Sequence, residues 1–232
     1  MTALPKVFAA IDVRDLDRAT ELAAQLAAAG VGLKFGLEFF VAHGAAGVER
    51  ARPAGAPLFL DLKLHDIPAT VEGAVASAIE TLEPDFLTVH SSGGPAMLTA
   101  AMKAARGSRT KILGVTVLTS LDDSDLDAVG QKAPVLDQVV RLARTGLHAE
   151  LDGFICAPTD AATLRATIGR APILMVPGIR PAWAADAGDQ KRVLTPAQAI
   201  ALGADHLVIG RPLTQAADPA AAARKVLAEL AA

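Results

Sequence analysis

Eight short apolar runs recur along this chain, and most are followed by a polar or glycine-containing loop and then an Ala/Leu-rich amphipathic stretch. The runs are Val7–Ile11, Gly32–Phe35, Leu58–Leu62, Phe86–His90, Lys111–Val117, Gly153–Cys156, Ile173–Val176 and Leu207–Ile209. A short run without polar alternation suits a parallel strand covered on both faces, and the amphipathic stretch supplies the helix that covers it. Clear helical stretches are Leu16–Ala28 after the first run and Val135–Thr145 before the sixth, with Asp15 and the Asp122–Asp125 segment as cap-type residues. The Ala-rich tail Ala216–Ala232 reads as a closing helix. Eight β/α units with no composition break predict an α/β fold, a single (β/α)8 TIM barrel over residues 1–232. A doubly wound open sheet is the weaker alternative.

Composition narrows the partners. Hydrophobic residues make up 52% of the chain and aromatics 3%, so Ala, Val, Leu and Ile must build the core. A net charge of -3 without a Lys/Arg-rich block argues against nucleic acid and acidic membrane surfaces, which leaves a small-molecule partner. The single cysteine, Cys156, lies in an apolar run, so neither an internal disulfide nor a cysteine metal pair is expected. The amino-terminal segment has no basic region followed by a long apolar stretch, and no run reaches transmembrane length, so a cytoplasmic protein is expected.

In a barrel of this kind, function concentrates at the carboxyl ends of the strands. Asp12 ends the first run, Lys34 lies near the end of the second, Asp61 and Lys63 flank the end of the third, and Gly210-Arg211 follows the eighth. Charges in such apolar surroundings are costly unless paired. Strand periodicity puts Asp61 and Lys63 on one face and Leu60 and Leu62 on the other, towards the helices, while Asp66 follows in the loop. A structural ion pair is the bland explanation; the position at a strand end, with Lys34 and Asp12 at the same mouth, favours a functional one.

Two further segments suit an anion. Val176-Pro177-Gly178-Ile179-Arg180-Pro181 opens a long polar stretch running to Gly188-Asp189-Gln190, where Arg180 and Gln190 are placed to grip an oxyanion. In Val208-Ile209-Gly210-Arg211-Pro212, the glycine lets a phosphate approach the backbone and Arg211 supplies a forked donor. Phosphate sites after strands seven and eight recur in barrels, although either segment alone also reads as a solvated loop. Thr119 and Ser120, after the fifth run, suit either a polar ring edge or a turn. His90 ends the fourth run and is assigned a supporting hydrogen bond rather than acid/base work. His65 is assigned loop positioning, and Trp183 packing of the long loop.

Asp61-Leu62-Lys63-Leu64-His65-Asp66-Ile67-Pro68, together with the two anion segments and Gly188-Asp189-Gln190, resembles the bacterial orotidine 5'-phosphate decarboxylase family in order and approximate spacing. The likeness runs from Asp12 to Pro212. Leu64 and Ala69 stand where the family more often has Phe and Asn, and Val176 where Thr is usual; the charged groups are intact. The resemblance implies decarboxylation of a nucleotide to UMP without metal or cofactor, with Lys63 as proton donor in a charged array of Lys34, Asp61, Lys63 and Asp66. It implies that Asp12 and Lys34 hold the ribose, Thr119 the pyrimidine, and Arg180, Gln190, Gly210 and Arg211 the phosphate. It also implies a homodimer in which Asp66, Ile67 and Thr70 reach the partner's site.

The residue types suit that chemistry. Loss of CO2 from C6 of the ring leaves an electron pair in the ring plane, beyond reach of the π system, so the protein must stabilise it electrostatically. An ammonium beside C6 does so and then delivers a proton. The rivals are a related phosphosugar barrel that pairs its carboxylates with Mg2+, a Schiff-base role for Lys63, and a barrel that binds a phosphate ligand without turnover. Lys34 and the Gly188-Asp189-Gln190 segment speak against the first, and an amine flanked by carboxylates is a poor nucleophile for the second.

Overall fold

The structure is a computed structural model that describes residues 4–184 and 194–231. Among these residues, β1 (Val7–Ala10), β2 (Gly32–Gly36), β3 (Leu58–Leu64), β4 (Phe86–His90), β5 (Lys111–Val115), β6 (Gly153–Ile155), β7 (Ile173–Val176) and β8 (His206–Ile209) pair in chain order, all parallel, and β8 returns to β1. The barrel is closed, so the open-sheet alternative is set aside. Strand positions follow the apolar runs; the fifth is shorter than the run suggests because Thr116 turns its backbone N–H and hydroxyl onto the Ile155 carbonyl, at 3.2 and 2.8 Å.

Around the sheet lie α1 (Leu16–Ala28), α2 (Leu37–Ala51), α3 (Pro68–Leu82), α4 (Gly94–Ala105), α5 (Asp123–Ala128), α6 (Val135–His148), α7 (Ala161–Ile168), α8 (Pro196–Ala201), α9 (Arg211–Thr214) and α10 (Pro219–Glu229). Their starts carry the signals read from sequence. The Asp15 carboxylate accepts from the Arg18 N–H at 2.7 Å, and Asp122 and Asp125 form a reciprocal capping box at the head of α5. No helix among the described residues is long and apolar enough to cross a membrane.

Period-two alternation splits the strand residues into two cores. Val7, Ala9, Leu33, Phe35, Leu58, Leu60, Leu87 and Val89 face the helices. Phe8, Phe59, Phe86, Leu113, Met175 and Val208 fill the barrel. Phe8, Phe59 and Phe86 meet edge to face with ring centroids 5.5–6.1 Å apart, which plugs the barrel below its mouth. Each such ring contributes about 1.5–3 kcal/mol by leaving water. With the interior filled, the next inward positions along β1 to β4 fall at the mouth, and these are Asp12, Lys34, Asp61 and Thr88.

Candidate active site

Asp61 is the centre of the mouth. One carboxylate oxygen, Oδ2, lies 2.7 Å from the Lys63 Nζ and 3.4 Å from the Lys34 Nζ, and the Lys34 Nζ lies 3.3 Å from Asp12 Oδ1. Four charges from three strands therefore form a continuous line of alternating sign. The Lys34 and Asp61 side chains are 8% and 12% exposed, whereas Lys63 and Asp12 open to the mouth at 27% and 46%. The line is dry at its centre and wet at both ends. The approach of Lys34 to Asp12 also explains a glycine: a Cβ at Gly36 would stand 2.8 Å from the Lys34 Nζ and 2.9 Å from Asp12 Oδ1, so any side chain there pushes the pair apart.

Burial is the largest influence on Lys34 and favours its neutral form, but Asp61 and Asp12 together outweigh it and hold its pKa above the ordinary lysine value. Burial likewise pushes the Asp61 carboxyl up; Lys34, Lys63 and the hydrogen bonds from Lys63 and Thr88 reverse this and leave its pKa below the ordinary carboxylate value. The two buried groups hold each other charged.

Lys63 reaches this place through an irregularity. β3 and β4 pair at Leu60 with Leu87 and again at Leu64 with Val89, so the ladder shifts register between those pairs. Within the shift, Lys63 takes a left-handed φ of 49°. For a residue with a Cβ that conformation costs on the order of 1 kcal/mol, and it aims the amine back towards Asp61. Thr88, wholly buried on β4, is the residue opposite: its hydroxyl accepts the Lys63 backbone N–H and donates to Asp61 Oδ1, each at 2.9 Å. Sequence reading passed over Thr88 and Gly36. Counting inward positions back from His90 would have found Thr88; the proximity of Gly36 to the Lys34–Asp12 pair had no sequence signal.

The charged line borders a cavity of about 860 Å3, within the size of small-ligand sites. Thr119, Arg180, Gly210 and Arg211 line it with Asp12, Lys34, Asp61 and Lys63, so these expected site residues share one cleft. Arg180 is buried at the end of β7, and its backbone N–H donates to the Leu194 carbonyl at 2.9 Å, as Ile179 and Leu194 pair in parallel. The long β7–α8 connection is thus clamped where it leaves and rejoins the barrel. Trp183, 39% exposed, lies in it beneath Lys225 of α10, whose Nζ is 4.8 Å from the ring centroid. Gly210 leaves room rather than filling it, since a Cβ there would meet nothing nearer than the Ala10 Cβ at 3.6 Å. Gln190 lies outside the described residues.

Other expectations sort differently. Asp66 does not join its own chain's array: it is exposed, and its carboxylate accepts the Ile67 N–H at 2.6 Å. Ile67 is 66% exposed, and Thr70 is also at the surface. His90 is half-buried with its ring 5.4 Å from that of His65. Burial first, then the charges of His65 and Lys63, push its pKa below the ordinary histidine value, which suits a neutral supporting ring. Cys156 is a buried cysteine, outside any disulfide, that lines the cavity. Among the described residues, no group of three or more His, Cys, Asp or Glu is placed to hold a metal ion.

Comparison with known proteins agrees along nearly the whole chain. The model of the orotidine 5'-phosphate decarboxylase / HUMPS family matches residues 5–226. The orotidine 5'-phosphate decarboxylase of Paramagnetospirillum magneticum is 49% identical, covering 97% of each chain, and that of Anaeromyxobacter sp. (strain K) is 53% identical over 91% of this chain and 92% of its own. Among solved structures, orotidine 5'-phosphate decarboxylase from Lactobacillus acidophilus superposes with a TM-score of 0.85 at 33% identity, covering 99% of this chain and 100% of that one. With a closed barrel, an alternating Lys/Asp line at its mouth and relatives of this similarity, the chain belongs to the orotidine 5'-phosphate decarboxylase / HUMPS family.

Proposed function

We propose that this enzyme decarboxylates orotidine 5'-phosphate to UMP and CO2, in pyrimidine biosynthesis, through its own charged array rather than a metal or organic cofactor. The observation that carries the array reading is Asp61 Oδ2 shared between Lys63 and Lys34 at the edge of the cavity. In this reading the pyrimidine sits with C6 beside Lys63. The C6–carboxylate bond breaks, CO2 leaves, and the electron pair stays on C6 in the ring plane. The Lys63 ammonium stabilises that pair and transfers its proton to it, forming the C6–H bond of UMP and leaving a neutral amine that solvent reprotonates.

Asp12 and Lys34 hold the ribose hydroxyls and Thr119 the ring edge. Arg180, Gly210 and Arg211 take the phosphate, with Gln190 as a further ligand. Support for the phosphate arm is that Arg180, Gly210 and Arg211 all line the cavity that the array borders. Arg211→Ala is expected to raise KM about 10- to 100-fold, the worth of a charged hydrogen bond, with a smaller change in kcat. Steady-state kinetics check it, and an unaltered KM takes Arg211 out of the phosphate site.

The same reading makes the working unit a homodimer. Within one chain, Lys34 and Lys63 balance Asp12 and Asp61. Asp66, exposed and outside that line, is placed to add a further carboxylate to a second chain's site, with Ile67 and Thr70 beside it.

The deciding experiment follows the fall in orotidine 5'-phosphate absorbance in excess EDTA, with UMP identified by chromatography, over a range of protein concentrations. Turnover in EDTA supports the reading, and specific activity that falls on dilution supports a site shared between subunits. Absence of turnover that Mg2+ and a phosphosugar substrate restore replaces it with the metal-dependent alternative.

A further inference from the structure

We propose that Thr88 is a positioning residue for the reaction: its hydroxyl holds the Lys63 backbone and the Asp61 carboxylate in the geometry that brings the amine to the substrate. The inference rests on the reading of Asp61 and Lys63 as the reacting pair.

Three observations carry it. Between the Leu60–Leu87 and Leu64–Val89 pairs, β3 advances through Asp61, Leu62 and Lys63 while β4 advances only through Thr88. The regular ladder is interrupted there, and the Lys63 N–H is met by a side-chain oxygen, Thr88 Oγ1, at 2.9 Å. A backbone at φ 49° persists in a non-glycine residue when its surroundings hold it, and this hydrogen bond is the one that holds the Lys63 amide. The hydroxyl hydrogen, in turn, has one direction left to point, and Asp61 Oδ1 lies there at 2.9 Å.

The two bonds work together. Asp61 Oδ2 receives the Lys63 and Lys34 amines, so its rotation about χ2 decides where both ammonium groups lie. The donor on Oδ1 stops that rotation from the opposite side. A single buried hydroxyl thus ties the backbone of Lys63 to the carboxylate that its own side chain contacts, closing a ring through Lys63 N, Thr88 Oγ1, Asp61 and Lys63 Nζ. Thr88 is fully buried beneath the line of charges and is not among the residues lining the cavity, so its effect passes through the pair it holds. Misplacing a reacting group by about 1 Å can cost on the order of a hundred-fold in rate, and that is the scale expected here.

The test compares Thr88→Ser, which keeps the hydroxyl, with Thr88→Ala and the near-isosteric Thr88→Val, which remove it. Orotidine 5'-phosphate turnover by the unmodified enzyme is the reference. Without the hydroxyl, kcat is expected to fall about a hundred-fold while UMP affinity changes by less than about three-fold; the Ser variant is expected to recover most of kcat. Circular dichroism and thermal melting establish that each variant is folded, and the Ser and Ala pair, matched in size, keeps the comparison if Val does not fold. Equal kcat in Ser and Ala overturns the proposal, as does loss of UMP affinity in step with kcat, which marks a general packing role. If the unmodified enzyme itself fails to turn over orotidine 5'-phosphate, the functional reading fails, an outcome distinct from a working enzyme indifferent to Thr88.

Discussion

Lys63→Ala is expected to reduce decarboxylation by about 10⁵-fold or more while leaving the barrel folded and UMP bound. The size follows from the two things the ammonium does in the proposed reaction. At about 4 Å from the developing pair, with an effective dielectric near 20, it contributes on the order of 4 kcal/mol, which is about 10³ in rate. Proton delivery by a positioned acid contributes at least about 10² more. Neither term concerns the phosphate or ribose, so binding should survive. The fold should survive too, because Lys63 is partly exposed and its removal leaves Asp61 still paired with Lys34 and Thr88. Single-turnover measurement of UMP formation, beside calorimetric UMP binding, checks both halves; turnover within about ten-fold of the unmodified enzyme removes Lys63 from the proton-donor role. Even so, Lys63 cannot account for the whole acceleration, since large enzymatic effects reach up to about 23 kcal/mol. In the proposed reaction the remainder falls to the preorganised line of charges and to exclusion of water around a gripped phosphate.

Asp61→Asn should be damaging in a different way. The amide keeps the shape, but it places an uncharged group between Lys34 and Lys63, with an N–H or a carbonyl oxygen where a carboxylate held two ammonium ions. Removing one partner of a buried ion pair costs about 3–5 kcal/mol, which for a chain of this size lowers Tm by about 6–20 °C. Among the described residues, Lys34, at 8% exposure, keeps only Asp12 as a counter-charge. Catalysis should fall at least about a hundred-fold because Lys63 loses the contact that aims it. Differential scanning calorimetry and steady-state kinetics report the two effects separately, and an unchanged Tm would show that Asp61 is not the electrostatic centre. KM carries a further distinction. A KM that falls with kcat assigns part of the effect to repulsion between Asp61 and the substrate's own carboxylate, whereas a constant KM assigns it to the transition state alone.

The strands were legible because a buried parallel strand must be continuously apolar and must repeat for each β/α unit, so Val7, Gly32, Leu58, Phe86, Lys111, Gly153 and Ile173 begin strands where the runs begin. The caps at Asp15 and Asp122 were legible because capping is local chemistry. Alternation also placed Asp61 and Lys63 on one face, and strand-end position put Asp12 and Lys34 at the same mouth. What alternation could not show is the register shift opposite Thr88, which makes Lys63 leave regular strand geometry and still point inward. The course of the loop after β3 was equally beyond alternation: within its own chain Asp66 is exposed, and its carboxylate accepts the Ile67 N–H.

The sequence by itself determined the barrel, its family and the set of charged residues at the mouth, because periodicity, strand-end position and motif order are written along the chain. Tertiary structure alone decided which oxygen of Asp61 faces which amine, that a side chain at Gly36 would displace the Lys34–Asp12 pair, and that Thr88 ties backbone to carboxylate. Those relations run between neighbouring strands, and their distances exist only once closure of the barrel has set the register from one strand to the next.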